Sequence, residues 1–133
     1  MTYFDTSALV AVILTPHPQH KRCLAVFEQT RERMTCAHAF AETFSTLTAF
    51  YKVPNDVAAE LILGLEESVA VSALTLGDYK TALNEARQRG VMGGGIYDSL
   101  HATHARRLSA TRVVTLNPGN FRHVAPDMEI VVP

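Results

Sequence analysis

Thr2-Tyr3-Phe4-Asp5-Thr6-Ser7-Ala8-Leu9-Val10 lies at the start of the chain, and the remaining segments arrange themselves around it. A short aromatic, apolar run ends abruptly in Asp5. Two hydroxyl residues follow, then an unbroken apolar run from Ala8 to Leu14. This is the pattern of a buried strand that turns directly into a helix, with a carboxylate at the turn. In an open α/β sheet, ligands gather outside the carboxyl ends of the strands, which is where Asp5 falls. The same position suits a helix cap, so Asp5 or Thr6 read alone is equally a capping residue.

Strand and helix patterns continue to alternate. Apolar residues at Leu24 and Phe27 predict a helix over Gln19 to Arg33, and Met34 to Cys36 reads as a short strand. Phe40, Phe44, Leu47 and Tyr51 recur at helical spacing over His38 to Tyr51, until Val53-Pro54-Asn55 stops the helix. Asn55 is then placed as the cap of a helix through Ser68, with Val57, Leu61 and Leu65 inward. Val69 to Ala73 reads as a strand. Thr75 and Asp78 have capping-box spacing and open a helix whose face would be Leu76, Tyr79, Leu83 and Ala86, with Gly90 as a left-handed cap. A glycine triplet, 93–95, reads as a loop into a helix over Ile96 to Leu108. Arg112 to Leu116 is a strand, Asn117 to Asn120 a turn, and Met128 to Val132 a final strand. Such alternation predicts one α/β domain over 1–133, with a Rossmann-like parallel sheet of four to five strands covered by helices on both faces.

Composition narrows the class. With 133 residues, 47% hydrophobic and 19% charged, the chain has enough material for one packed core and is not a disordered segment. Its net charge of −1 provides no global field for a polyanion, which must be met by a local patch or by bound cations. Cys23 and Cys36 lack metal-ligand spacing and read as reduced, packed thiols. No apolar stretch has signal-peptide or membrane-spanning character, so a cytoplasmic protein is expected.

Three acids fall on one predicted rim. Asp5 ends the first strand, Glu42 lies near the start of the helix after Met34–Cys36, and Asp98 lies in the first turn of the helix that leads into Arg112–Leu116. A helix start favours a carboxylate by only about 0.3–1 kcal/mol. That does not offset the repulsion of three gathered carboxylates, which would raise a pKa or demand a cation. Hard oxygen donors suit Mg²⁺ or Mn²⁺, which can activate water and clamp phosphoryl oxygens. Separately, Glu42 is also readable as a surface glutamate and Asp98 as a helix-start charge. His101 and His104 lack a ligand pattern such as His-Glu-x-x-His, and read as structural or surface residues with some room for His101 in substrate contact. Arg122 is placed near a substrate phosphate by its proximity to Asn120.

Asp5-Thr6-Ser7-Ala8-Leu9, Phe40-Ala41-Glu42, Gly95-Ile96-Tyr97-Asp98 with Ser99-Leu100-His101-Ala102, and Val114-Thr115-Leu116-Asn117 through Phe121 occur in the order and spacing of PIN domains. The chain resembles the small VapC-type toxins of toxin–antitoxin pairs. That resemblance implies a Mg²⁺- or Mn²⁺-dependent endoribonuclease that hydrolyses RNA to a 5′-phosphate and a 3′-hydroxyl. Asp5, Glu42 and Asp98 would hold the metal, with Thr6, Ser7, Thr115, Asn117 and Asn120 in support. It also implies a homodimer silenced by a cognate VapB-like antitoxin. The chain departs from the family at Asn120, where many relatives have a fourth acid; an amide brings no charge, so a weaker second metal site or a single-metal mechanism is expected. Two alternatives remain open: a catalytically weakened PIN fold that binds RNA or protein, and an unrelated Mg²⁺-dependent α/β phosphotransfer domain.

Overall fold

A computed structural model describes residues 1–133. In chain order it contains β1 (Thr2–Phe4), α1 (Thr6–Ile13), α2 (His20–Gln29), β2 (Arg33–Cys36), α3 (Ala37–Ser45), α4 (Asn55–Gly64), β3 (Ala70–Ser72), α5 (Leu76–Glu85), α6 (Gly95–Arg107), β4 (Arg112–Val114), the short α7 (Pro118–Phe121) and β5 (Glu129–Val131). All five strands are parallel, in the order β3-β2-β1-β4-β5. β1 is therefore central, and the chain winds away from it in both directions. The cleft beside such a reversal point is the favoured ligand site of an open α/β sheet.

Strand residues alternate between two cores, as a period of two requires. Phe4 and Val114 join Leu9, Cys23 and Phe27 on one face; Tyr3 and Val113 join Ala102, Ala105 and Phe121 on the other. Burial on both faces explains why the strands are short apolar runs without polar alternation. The edge of Phe4 meets Phe27 with ring centroids 5.2 Å apart, and complete burial of a side chain of that size contributes about 1.5–3 kcal/mol. Both cysteines are free and buried.

Helix positions follow the sequence reading, but three helix faces depart from it at particular residues. α3 buries Ala39 and Thr43, while Phe44 is exposed. α4 buries Ala58 and Ile62, whereas Val57 and Leu61 face outward. α5 buries Asp78 and Ala82; Leu76 and Leu83 are 70% and 64% exposed. Only on α5 do smaller residues wholly replace the larger apolar stripe; Phe40, Leu47 and Leu65 of the other two expected faces do pack inward. Asn55 is the first helical residue of α4 and not its cap; Pro54 holds the cap position, with no side-chain hydrogen bond. Thr75 and Asp78 do form a reciprocal capping box. Gly90 has φ +66°, a left-handed turn several residues beyond the end of α5. The segment read as a turn at Asn117 to Asn120 contributes most of α7.

Asp127 precedes β5 and so lies at the amino edge, away from the strand ends that carry Asp5. There Arg106 grips it with two hydrogen bonds of 2.7 and 2.6 Å, which hold its carboxyl down at about pH 2. A carboxyl depressed in the folded state stabilises the protein above its unfolded pKa, and that contribution is lost as pH falls through the folded value. Asp127→Asn is therefore expected to flatten the loss of thermal stability between about pH 4 and 2. Superimposable acid melting curves for the two proteins would contradict it.

Candidate active site at the carboxyl edge of the sheet

Asp5 is both cap and cleft residue. Its backbone is extended (φ −79°, ψ 174°), and it is the N-cap of α1. One carboxylate oxygen accepts from the Ala8 N–H at 2.9 Å and from the Ser7 hydroxyl at 2.7 Å; the other accepts from the Thr115 hydroxyl at 2.6 Å. Ser7 Oγ in turn accepts the Leu116 N–H, and Thr115 Oγ1 accepts the Asn117 N–H, both at 2.9 Å. The ends of β1 and β4 are thus tied together through side chains. Burial raises the Asp5 pKa, against the opposing hydrogen bonds from Thr115, Ala8 and Ser7.

Glu42 sits on α3, one and a half turns after β2. Thr6 donates to its Oε1 at 3.2 Å, and His101 Nε2 lies 2.6 Å from the same oxygen. His101, on α6, is only 3% exposed. Its Nδ1 is 2.6 Å from the Tyr3 hydroxyl and 3.4 Å from Cys36 Sγ. Burial alone would lower its pKa, but the contacts with Cys36 and Glu42 outweigh that and raise it to about 10. The raised pKa favours the imidazolium form, and its contact with Glu42 depresses that carboxyl below its ordinary value in spite of burial.

Asp98 projects from the first turn of α6, one turn before His101. Its pKa is raised to about 6, first by burial and then by the nearby Asp5 and Glu42 charges, against the attraction of His101 and His123. Asp5, Glu42 and Asp98 thus share one open cleft of about 380 Å³, lined also by Thr6, Ser7, His101 and Asn117. No group of three His, Cys, Asp or Glu side chains converges closely enough to hold a metal ion between them. Asp5 and Glu42 are instead engaged by protein donors. The donor set is nonetheless chemically apt: three carboxylates, one of them pushed up by burial and by the other two, are what a hard divalent cation neutralises.

Other sequence-predicted residues fall differently. Thr115 lies behind Asp5, Asn117 on the cleft wall. Asn120 is exposed on α7, and neither it nor Arg122 lines the cleft. The His101 ring is committed internally, through Glu42 on one nitrogen and Tyr3 on the other. Sequence reading missed five lining residues, Val10, His17, Thr46, Tyr51 and Leu116. Only the proline-bracketed His17 carried a local signal, since Pro16 and Pro18 fix the loop around it.

Residues 2–126 match the PIN domain family. Ribonuclease VapC27 of Mycobacterium tuberculosis is 30% identical over 105 residues, spanning 76% of this chain and 74% of that protein. Among solved structures, M. tuberculosis VapC20, described as a sarcin-ricin loop cleaving toxin, superposes with a TM-score of 0.72 at 16% identity, covering 85% of this chain and 87% of its own. VapBC2 from Rickettsia felis, bound to a DNA fragment from its promoter, gives a TM-score of 0.72 at 18% identity, covering 100% and 99%. At those identities the structural likeness is one of fold.

Proposed function

The chain belongs to the PIN-domain family, with VapC toxins among its relatives, and from that premise we propose that it is a Mg²⁺- or Mn²⁺-dependent endoribonuclease, the toxin of a toxin–antitoxin pair. The observation that carries the reading is the shared cleft of Asp5, Glu42 and Asp98, brought from three separate elements, with the Asp98 carboxyl raised to about pH 6.

Asp5, Glu42 and Asp98 would hold the metal, which when bound supplies an activated water and charge neutralisation at the phosphate. The chain's own work is orientation. Thr115, Ser7 and the Ala8 N–H fix the Asp5 carboxylate. Thr6 and His101 fix Glu42. Asn117 offers an uncharged amide on the wall, in keeping with a single-metal site. Hydrolysis adds water across the P–O3′ bond: oxygen goes to phosphorus, leaving a 5′-phosphate, and a proton goes to the departing O3′. A VapB-like antitoxin, and a second copy of the chain, are the partners this reading carries with it. No helix is long and apolar enough to cross a membrane.

The test is incubation of the partner-free protein with mixed cellular RNA and Mn²⁺ or Mg²⁺, with and without chelator, beside Asp5→Asn. Cleavage that chelator and the substitution both abolish is expected. RNA profiles identical in all arms would refute nuclease activity and favour the second reading, a weakened PIN fold that only binds; the unconverged acids and the exposed Asn120 are what speak for it.

A further inference from the structure

Beyond its acids, the cleft has an aromatic end that the hydrolytic chemistry leaves unused. One wall follows α3. Thr46 lies four residues after Glu42, about 6 Å further along the axis, and so on the same helical face. The helix then abandons α geometry: Thr46–Phe50 forms a π turn, and the Tyr51 N–H bonds to the Thr46 carbonyl, five residues back, at 3.3 Å. Each residue of an α-helix advances about 100°, so the extra residue in this turn re-aims the side chains beyond it. Tyr51 is thereby a lining residue with Glu42 and Thr46. Lys52, directly after it, has φ +58°, a left-handed conformation unusual for a side chain of that length. π turns are rare and are found largely at functional sites.

The opposite wall runs from Thr6 through Val10 to His17. His17 is held between Pro16 and Pro18, and its Nδ1 accepts the Gln19 N–H at 2.9 Å, which leaves Nε2–H as the free donor. Burial and the neighbouring His20 lower its pKa, so the ring is neutral. The Tyr51 and His17 centroids are 6.0 Å apart and their planes are inclined at 51°, so neither ring covers the other's face. Phe50 braces Tyr51 edge-on at 4.8 Å. Packing against Val10, Leu14, Leu47, Ala58 and Ile62 accounts for a large apolar residue at position 51; it does not account for a half-buried ring that lines the cleft beside a second one.

We propose that Tyr51 and His17 form a base subsite, which stacks one unpaired nucleobase of the RNA beside the phosphate held at the acids, with Thr46 and Asn117 as the polar groups at its edge. The inference rests on the ribonuclease reading. Stacking on an aromatic platform suits any single-stranded base, and polar neighbours at the rim add preference among bases.

Tyr51→Leu keeps the apolar contact and removes the platform; Tyr51→Phe keeps both. His17→Leu makes an independent second variant in an ordered loop. For Tyr51→Leu and His17→Leu, KM for RNA cleavage is expected to rise about 5- to 100-fold, from the usual worth of one stacked base. kcat and calorimetric Mn²⁺ affinity should stay near wild type, base preference beside the cut, read by sequencing the new 5′ ends, should blur, and Tyr51→Phe should behave as wild type. Unchanged KM and cut-site profiles in folded Tyr51→Leu and His17→Leu, or a Phe variant as defective as Leu, would overturn the subsite. If wild type does not cleave, it is the ribonuclease reading that fails. The subsite is then judged by fluorescence anisotropy with a single-stranded oligoribonucleotide, where Tyr51→Leu binding as tightly as wild type overturns it.

Discussion

Asp98→Asn is expected to make the metal-free protein more resistant to heat at neutral pH while it removes about 10²–10³-fold of metal-dependent RNA cleavage. The two effects have one cause. In the folded chain the Asp98 carboxyl is raised to about 6 from an ordinary 3.8, by burial and by the charges of Asp5 and Glu42. A group that binds its proton more tightly when folded makes stability fall as pH rises between the unfolded and folded values, so ionised Asp98 opposes folding above about pH 6. An amide of the same shape removes that opposition together with the charge that would hold the cation. Mn²⁺ affinity of the unaltered protein should correspondingly weaken below about pH 6, because the proton and the metal compete for one carboxylate. Differential scanning calorimetry with and without Mn²⁺, at several pH values, checks both. An Asn variant less stable than wild type without metal would show that Asp98 supports the fold and is not held in a strained, charge-crowded place.

The second large effect concerns His101. His101→Leu removes the imidazolium from beneath the acids and leaves the Glu42 carboxylate, the Tyr3 hydroxyl and Cys36 without their shared partner. Breaking a buried ion pair from one side usually costs about 3–5 kcal/mol, which should appear as a fall in Tm of roughly 10 °C or more. Cleavage should fall as well, since Glu42 would lose the contact that orients it. His101→Gln, whose amide can reach Glu42 from the position of Nε2, should recover part of the activity and less of the stability. An independent readout is the ring itself: in an NMR titration His101 should remain protonated up to about pH 9, given its value of about 10. A midpoint near the ordinary histidine value would mean that the contacts with Cys36 and Glu42 do not hold the charge on the ring in solution.

The candidate site was legible where function and local structure use the same residue. Asp5 is conspicuous because a carboxylate ends an apolar strand and begins a helix, and the N-cap geometry it adopts is a local matter of residues 5 to 8. Asp98 is conspicuous as an acid in the first turn of a helix entered from a glycine-rich loop. Glu42 was less so: it stands between Phe40, which packs against the core, and the exposed Phe44, and nothing local distinguishes it from a surface glutamate. His101 reads mainly as a structural or surface residue with some room for substrate contact; its ring lines the cleft and is held in a network with Tyr3 and Cys36. Those partners are 98 and 65 residues away in sequence, and no local pattern announces such a contact.

The order of strands and helices, the parallel sheet and the edge on which the acids sit follow from the chain alone, because each depends on patterns only a few residues long: period two against period 3.6, a cap, a proline, a glycine. Tertiary packing decided the rest. It turned Asp78 and Ala82 of α5 inward and left Leu76 and Leu83 outside, and it exposed Phe44, Val57 and Leu61 on faces expected to be buried. It also set His101 among Tyr3, Cys36 and Glu42, since those partners meet only where elements distant in sequence pack together. The chain marks where the acids fall; the packing of α1, α3 and α6 around β1 determines what surrounds them.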